Sequence, residues 1–157
     1  MRQQNLACLP FPLSATTTLR GKHCHHLDLT VRLKTFIVED NPTICENLIA
    51  TLEELAGVEA AGTAETENDA CAWLAHSDNN GWRLAIVDLF LKQGSGLGVL
   101  ASCRNRGPSQ KVVVLSNYAT NEIRHRCEQL GVDAVFDKSN EIDALVEYCI
   151  QQGGSSN

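Results

Sequence analysis

The run Leu84-Ala85-Ile86-Val87 is apolar without alternation, stops at a single carboxylate, Asp88, and is followed by the turn-forming Gly94-Ser95-Gly96. A strand with no polar face has to be covered on both sides, which is the situation of a central strand in a parallel sheet. Parallel neighbours need long crossovers, usually helical. The chain is therefore constrained to an α/β fold, with Asp88 at the carboxyl end of a central strand. Ligands of open α/β sheets bind along that edge, so position alone makes Asp88 a functional candidate.

The regular pattern begins at Lys34. Thr35 to Val38 reads as a strand ending in Glu39 and Asp40, after which Asn41 supplies an N-cap and Pro42 the first helical position. Ile44, Leu48, Ile49, Leu52 and Leu55 recur at helical spacing and predict one buried face, with Gly57 as the stop. Val58 to Thr63 is a weaker strand. Glu65 to Ser77 is a helix with an acidic first turn and with Cys71, Leu74 and Ala75 inward. After the central strand a helix runs from Leu97 to about Arg106 and breaks at Gly107-Pro108. Lys111 to Leu115 is an apolar strand ending in Ser116. Ala119 to Leu130 is a helix that turns Ile123, Cys127 and Leu130 inward and stops at Gly131. Ala134 to Phe136 is a short strand followed by Asp137 and Lys138. Ile142, Leu145, Val146, Cys149 and Ile150 mark the last helix, and Gly153 and Gly154 are expected to release the chain. Five strands alternating with five helices predict a doubly wound five-stranded parallel sheet, with helices on both faces and right-handed crossovers.

A chain of 157 residues suits one domain. Its formal net charge of −6 argues against broad binding to nucleic acid or anionic membranes, which needs clustered Lys and Arg. Protein or small-ligand partners fit better. The seven cysteines are an odd number, and Cys45, Cys71, Cys103, Cys127 and Cys149 fall one to each predicted helix. They read as small buried hydrophobes of a reducing cytoplasm, not as a disulfide framework. No apolar run reaches the ~18 residues of a membrane span, so a soluble, cytoplasmic protein is expected. Residues 1–33, with Pro10, Pro12 and a threonine run, have no sustained period and are expected to form a disordered or loosely attached arm. A start near Val31 reads equally well. Within that arm His23, Cys24, His25 and His26 lack the spacing of a structural zinc site. Residues 153–157 are expected to be a flexible tail.

The strand order of the elements brings Glu39, Asp40, Asp88, Ser116 and Lys138 to one edge of the sheet. Three carboxylates cannot share a pocket as anions without a cation, because like charges repel and raise one another's pKa. Lys138 and a hard divalent ion answer this, and Mg2+ prefers oxygen ligands while keeping several waters. Its open positions suit a phosphoryl group. An aspartate so placed can attack phosphorus and form an acyl phosphate.

FIVED, IVDLFLKQGSG, VVVLSN and FDKS, in this order and spacing, resemble the receiver domain of bacterial two-component response regulators over residues 34–152. The resemblance implies a flavodoxin-like strand order 2-1-3-4-5. It also implies Asp88 as phosphoacceptor, Asp40 as direct metal ligand, Glu39 as a metal-site acid acting through water, and the Phe90 backbone carbonyl as a further ligand, with Mg2+ the ion. Ser116 would bond the phosphoryl group and draw its loop inward, and Lys138 would pair with that group. Three positions depart from the family pattern. Glu39 replaces a frequent Asp, Ser139 a frequent proline, and Val135 the usual switch aromatic. Phe136, one place later, should point to the opposite face, which leaves the serine arm of the switch.

The implied function is a phosphoryl-accepting switch of a two-component system or phosphorelay, fed by a histidine kinase or phosphotransfer protein. With only a short Gly-Ser tail after the last helix, a stand-alone receiver is expected. It would signal to a downstream protein partner, without direct DNA or membrane binding, and catalyse only its own phosphorylation and dephosphorylation. Arg124, His125 and Arg126 give the fourth helix a basic edge, which alone reads as a solvated face. The resemblance also implies that Phe90 and Tyr118 flank the approach of water to the acyl phosphate; both are bulky, which predicts a slow decay, the alternative being that the rings turn outward as partner-binding surface. A receiver-like interaction module that no longer needs phosphate is the alternative, disfavoured by the intact set of Asp88, Asp40, Ser116 and Lys138. A haloacid-dehalogenase-like phosphatase expects DxD after the first strand, where this chain has Glu39-Asp40-Asn41.

Overall fold

The computed structural model describes residues 31–155. The expected N-terminal arm to residue 30, its His23 to His26 cluster and the last two residues lie outside that range. Five parallel strands, β1 (Leu33–Val38), β2 (Val58–Ala64), β3 (Leu84–Val87), β4 (Lys111–Ser116) and β5 (Ala134–Asp137), form one sheet in the order β2-β1-β3-β4-β5. This is the expected doubly wound order. The helices are α1 (Pro42–Ala56), α2 (Glu67–Ala75), α3 (Gly96–Ser102), α4 (Asn121–Gln129) and α5 (Ile142–Gly154).

Every residue of β3 is buried, as its unbroken apolar run requires. The sheet divides the core in two. On one side α1 and α5 pack Leu48, Leu52, Leu145 and Cys149 against Ile37, Ile86, Val113 and Phe136. On the other α2, α3 and α4 place Ala70, Val99, Leu100 and Cys127 over Phe36, Val87 and Val114. Local signals set most boundaries. Asn41 Oδ1 accepts from the amides of Thr43 and Ile44 at 3.0 and 3.1 Å, and Gly57 ends α1 in the left-handed region at φ 62°.

Several expected details are corrected. The buried stripe of α1 is Cys45, Leu48, Leu52 and Ala56, whereas Ile44 and Leu55 are 38% and 57% exposed. Cys45 and Ala56 thus join Leu48 and Leu52 on the face turned to the sheet, and Ile44 and Leu55 flank it. Helix α2 starts at Glu67 because the Thr66 hydroxyl caps it, accepting from Asp69 N at 3.1 Å. Ala75 is exposed and Cys71 half-buried, while Ala70 is the residue turned fully inward. The Trp73 ring stacks on Phe36 at 4.0 Å, and a side chain at Gly62 would collide with that indole. The β1–β2 register shifts between Thr35 and Phe36, next to this contact.

Helix α3 ends at Ser102 rather than near Arg106, since Arg106 turns back to donate to the carbonyls of Cys103 and Gln110. Cys103 is thus the cap of α3 instead of a residue within it. Leu33, placed in the arm by its sequence, is 3% exposed and belongs to β1, its amide donating to Gly57 O at 3.2 Å. At the other end α5 continues through Gly153 and Gly154, so the expected tail at 153–157 begins later. Glycine costs about 1 kcal/mol in a helix interior, an amount that a terminal turn continuing a packed helix tolerates. Cys45, Cys71, Cys103, Cys127 and Cys149 are all free thiols, and all but Cys71 are buried.

Candidate functional site

The strands β1, β3, β4 and β5 end on the same edge, and each delivers a polar residue there. Glu39 and Asp40 follow β1, Asp88 follows β3, Ser116 closes β4, and Lys138 follows β5. Asp88 is fixed by its backbone, whose amide continues the ladder to Val38 O at 3.0 Å. The glycine-rich loop then folds back over it. A Cβ at Gly96 would lie 2.2 Å from the Asp88 carbonyl oxygen, so only glycine fits that crossing.

The three carboxylates converge, with one oxygen of each of Glu39, Asp40 and Asp88 within 4.8 Å of the others. Lys138 Nζ donates to Glu39 Oε2 at 2.5 Å and to Asp88 Oδ2 at 2.8 Å. The second oxygens are held by amides: Asn41 N donates to Glu39 Oε1 at 3.1 Å and Phe90 N to Asp88 Oδ1 at 3.2 Å. Asp40 Oδ2 accepts from Lys92 N at 2.9 Å and has no bond to Lys138 among the described residues. Ser116 is fully buried, and its Oγ accepts from Tyr118 N at 3.2 Å while its carbonyl accepts from Lys138 N at 3.0 Å. Its hydroxyl is therefore beside the cluster, engaged with its own loop. Among the described residues there is no cis peptide bond, so the bond to Ser139 is trans.

Burial is the largest influence on Glu39 and pushes its carboxyl above the usual 4.5. The Lys138 hydrogen bond opposes this, and Asp88 adds to it. For Lys138 burial pulls downward, but its bonds to Asp88 and Glu39 together outweigh it and hold the ammonium above 10.5. One cation against three carboxylates leaves an excess of negative charge in a small cleft. Hard oxygen donors at this separation fit a divalent cation of the Mg2+ or Ca2+ class.

Phe90 and Tyr118 line the cleft together with Asn41, Lys92 and Asn117. Their rings meet edge to face, with centroids 5.0 Å apart and planes at 69°. They are nonetheless 53% and 61% exposed, so the pair stands at the mouth of the cleft and also faces solvent. Two supporting residues escaped the sequence reading. Glu67, at the start of α2, accepts from Ser95 N at 2.7 Å and so anchors the loop after Asp88, with its carboxylate fitted against Gly94 and Gly98. Gly98 inside an amphipathic segment is the signal that could have revealed it. Arg124 is the other. Far from lying on a solvated face, its guanidinium bonds to Ala119 O, Val135 O and Glu141 Oε2.

A family model described as the response regulator receiver domain matches residues 35–150. Over 137 residues the chain is 28% identical to the acid tolerance regulatory protein ActR of Rhizobium meliloti (strain 1021), covering 86% of this chain and 68% of ActR. Its fold is similar to the response regulator domain of Thermotoga maritima CheB, with a TM-score of 0.67 at 13% identity over 80% of this chain and 99% of that one. A response regulator from Burkholderia pseudomallei, solved with a phosphorylated aspartic acid, a calcium ion and citrate, superposes with a TM-score of 0.62 at 22% identity. That match covers 77% of this chain and 69% of the other. Among the described residues, no helix is long and apolar enough to cross a membrane.

Proposed function

The chain belongs to the response regulator receiver family, the phosphoryl-accepting switch of two-component signalling, and from that premise we propose that Asp88 is its phosphoacceptor. The observation that carries the assignment is the placement of Asp88 at the end of β3, 2.8 Å from Lys138 and grouped with Glu39 and Asp40. Asp40, Asp88, the Phe90 carbonyl and, through water, Glu39 would hold Mg2+. The ion, when bound, neutralises charge on the phosphoryl oxygens. An Asp88 carboxylate oxygen attacks the phosphorus of a phosphohistidine donor. The new O–P bond forms as the P–N bond breaks, and the imidazole leaves and takes up a proton from solvent. Lys138, charged at neutral pH, shifts from carboxylate to the transferred group, and the Ser116 hydroxyl donates to one of its oxygens. The donor is a histidine kinase or phosphotransfer protein. Output passes to a protein partner through the face formed by α4, β5 and α5, in the cytoplasm.

Incubation with Mg2+ and acetyl phosphate is expected to add one phosphate to the wild type and none to Asp88→Asn. Asp40→Ala is expected to lose Mg2+ binding measured by titration. Label on Asp88→Asn at the wild-type level contradicts the acceptor assignment, and unchanged Mg2+ affinity in Asp40→Ala contradicts the ion's placement. A wild type that takes no label from acetyl phosphate or from a phosphorylated histidine kinase leaves the interaction-module reading in its place.

A further inference from the structure

Arg124 lies on α4, outside the acidic cleft, and each nitrogen of its guanidinium is hydrogen-bonded. Nε donates to the Ala119 carbonyl at 3.1 Å, one terminal nitrogen to the Val135 carbonyl at 2.7 Å, and the other to Glu141 Oε2 at 2.8 Å. The same Glu141 oxygen accepts from the Asp137 amide at 2.6 Å. The Arg124 bond, and after it the Asp137 bond, hold the Glu141 carboxyl below its usual range. A single rigid fork thus ties the β4–α4 loop to β5 and to the residue that opens α5.

Both ends of this clasp adjoin the cleft. Ala119 belongs to the loop that starts at Ser116, and Asp137 directly precedes Lys138, whose amide is bonded to the Ser116 carbonyl. Among the described residues, no aromatic packs beside Val135 on the α4 side of β5. Val135 packs there, half-buried, with Ile123 and Leu130 nearby in the same cluster. Phe136 is turned to the opposite face, where its ring meets Tyr148 at 5.7 Å.

We propose that Arg124 is the coupling residue of this receiver, and that its clasp passes movement of the Ser116 loop to the α4–β5–α5 face. The inference rests on the reading of Asp88 as phosphoacceptor. If the loop is drawn toward a phosphoryl group, the Ala119 carbonyl moves with it. The three donors of a planar fork cannot follow one acceptor and keep the other two, because hydrogen bonds weaken steeply with misalignment. The guanidinium then exchanges partners, and β5 and the first turn of α5 are released or regripped. This gives the two discrete arrangements that a population shift needs.

The test uses the full chain with Mg2+ and acetyl phosphate, comparing wild type, Arg124→Met and Glu141→Gln. Label uptake is measured by mass, and amide shifts across residues 119–145 by NMR. Arg124→Met is expected to take the wild-type amount of label while its shift changes in β5 and the start of α5 fall below half of the wild-type values. Glu141→Gln keeps an acceptor for the Asp137 amide and is expected to show the same loss more weakly. Should Arg124→Met not fold, Glu141→Gln decides the matter by whether its shift changes in β5 and the start of α5 are smaller than those of wild type at equal label. Labelled variants whose shifts change as in wild type overturn the clasp and leave the acceptor assignment intact. Absence of label on the wild type overturns the acceptor assignment and, with it, the clasp's role.

Discussion

Glu39 is sealed from solvent at 3% exposure and shares Lys138 with Asp88, so its charge depends on its neighbours. Its folded pKa is raised above 4.5, with burial as the main cause. The sign of the consequence follows from proton counting. As pH rises past 4.5 the unfolded chain releases this proton first, so stability falls between the unfolded and folded values, and the anion is a cost at neutral pH. We predict that Glu39→Gln melts higher than wild type at pH 7 without divalent cations, because the variant carries no buried anion at this position. Added Mg2+ should stabilise the wild type more than the variant, because a ligand stabilises in proportion to its affinity. Thermal melts with and without Mg2+ check both parts. A variant that melts lower in the absence of metal would mean that its Lys138 bond outweighs the burial cost.

At the level of the elements, the loop from Asp88 to Ser95 does the positioning. It contributes the Phe90 amide to Asp88 and the Lys92 amide to Asp40, and Glu67 of α2 holds its far end. Phe90 and its edge-to-face partner Tyr118 stand at the mouth of the cleft, and neither offers a carboxylate or amide to orient a water for attack. We predict that Phe90→Asn speeds loss of the phosphoryl group severalfold, since the amide both opens the mouth and orients water. Following the phosphorylated fraction over time on a phosphate-affinity gel measures this. Equal decay rates would assign the exposed Phe90 ring to partner recognition instead. The ends of these elements were legible where the chemistry is local. Asn41-Pro42, Gly57 and Gly131 mark their helix boundaries by capping geometry alone. The burial of Cys45 and Ala56 in place of Ile44 and Leu55 on α1, the register shift beside Gly62 and the early end of α3 were not legible, because each depends on a contact distant in sequence.

For the molecule as a whole, the fold could be read because β3 and the Val112–Leu115 run of β4 are apolar without alternation, the pattern of strands in a doubly covered parallel sheet. The same topology brings Glu39, Asp40, Asp88 and Lys138 together, so their convergence was visible from the order of elements before any coordinate. The Arg124 clasp was hidden. An arginine on an amphipathic helix reads as solvated, and only the packing of α4 against β5 and α5 shows that each of its guanidinium nitrogens is hydrogen-bonded within the protein. The central proposal is that Asp88 is the phosphoacceptor, and reductive trapping addresses it most directly. An acyl phosphate on an aspartate is reduced by borohydride to homoserine, so the wild type treated with Mg2+ and acetyl phosphate, reduced and digested, is expected to carry homoserine at position 88 and nowhere else. Reduction product at Asp40 or Glu39, with Asp88 recovered unchanged, would contradict it.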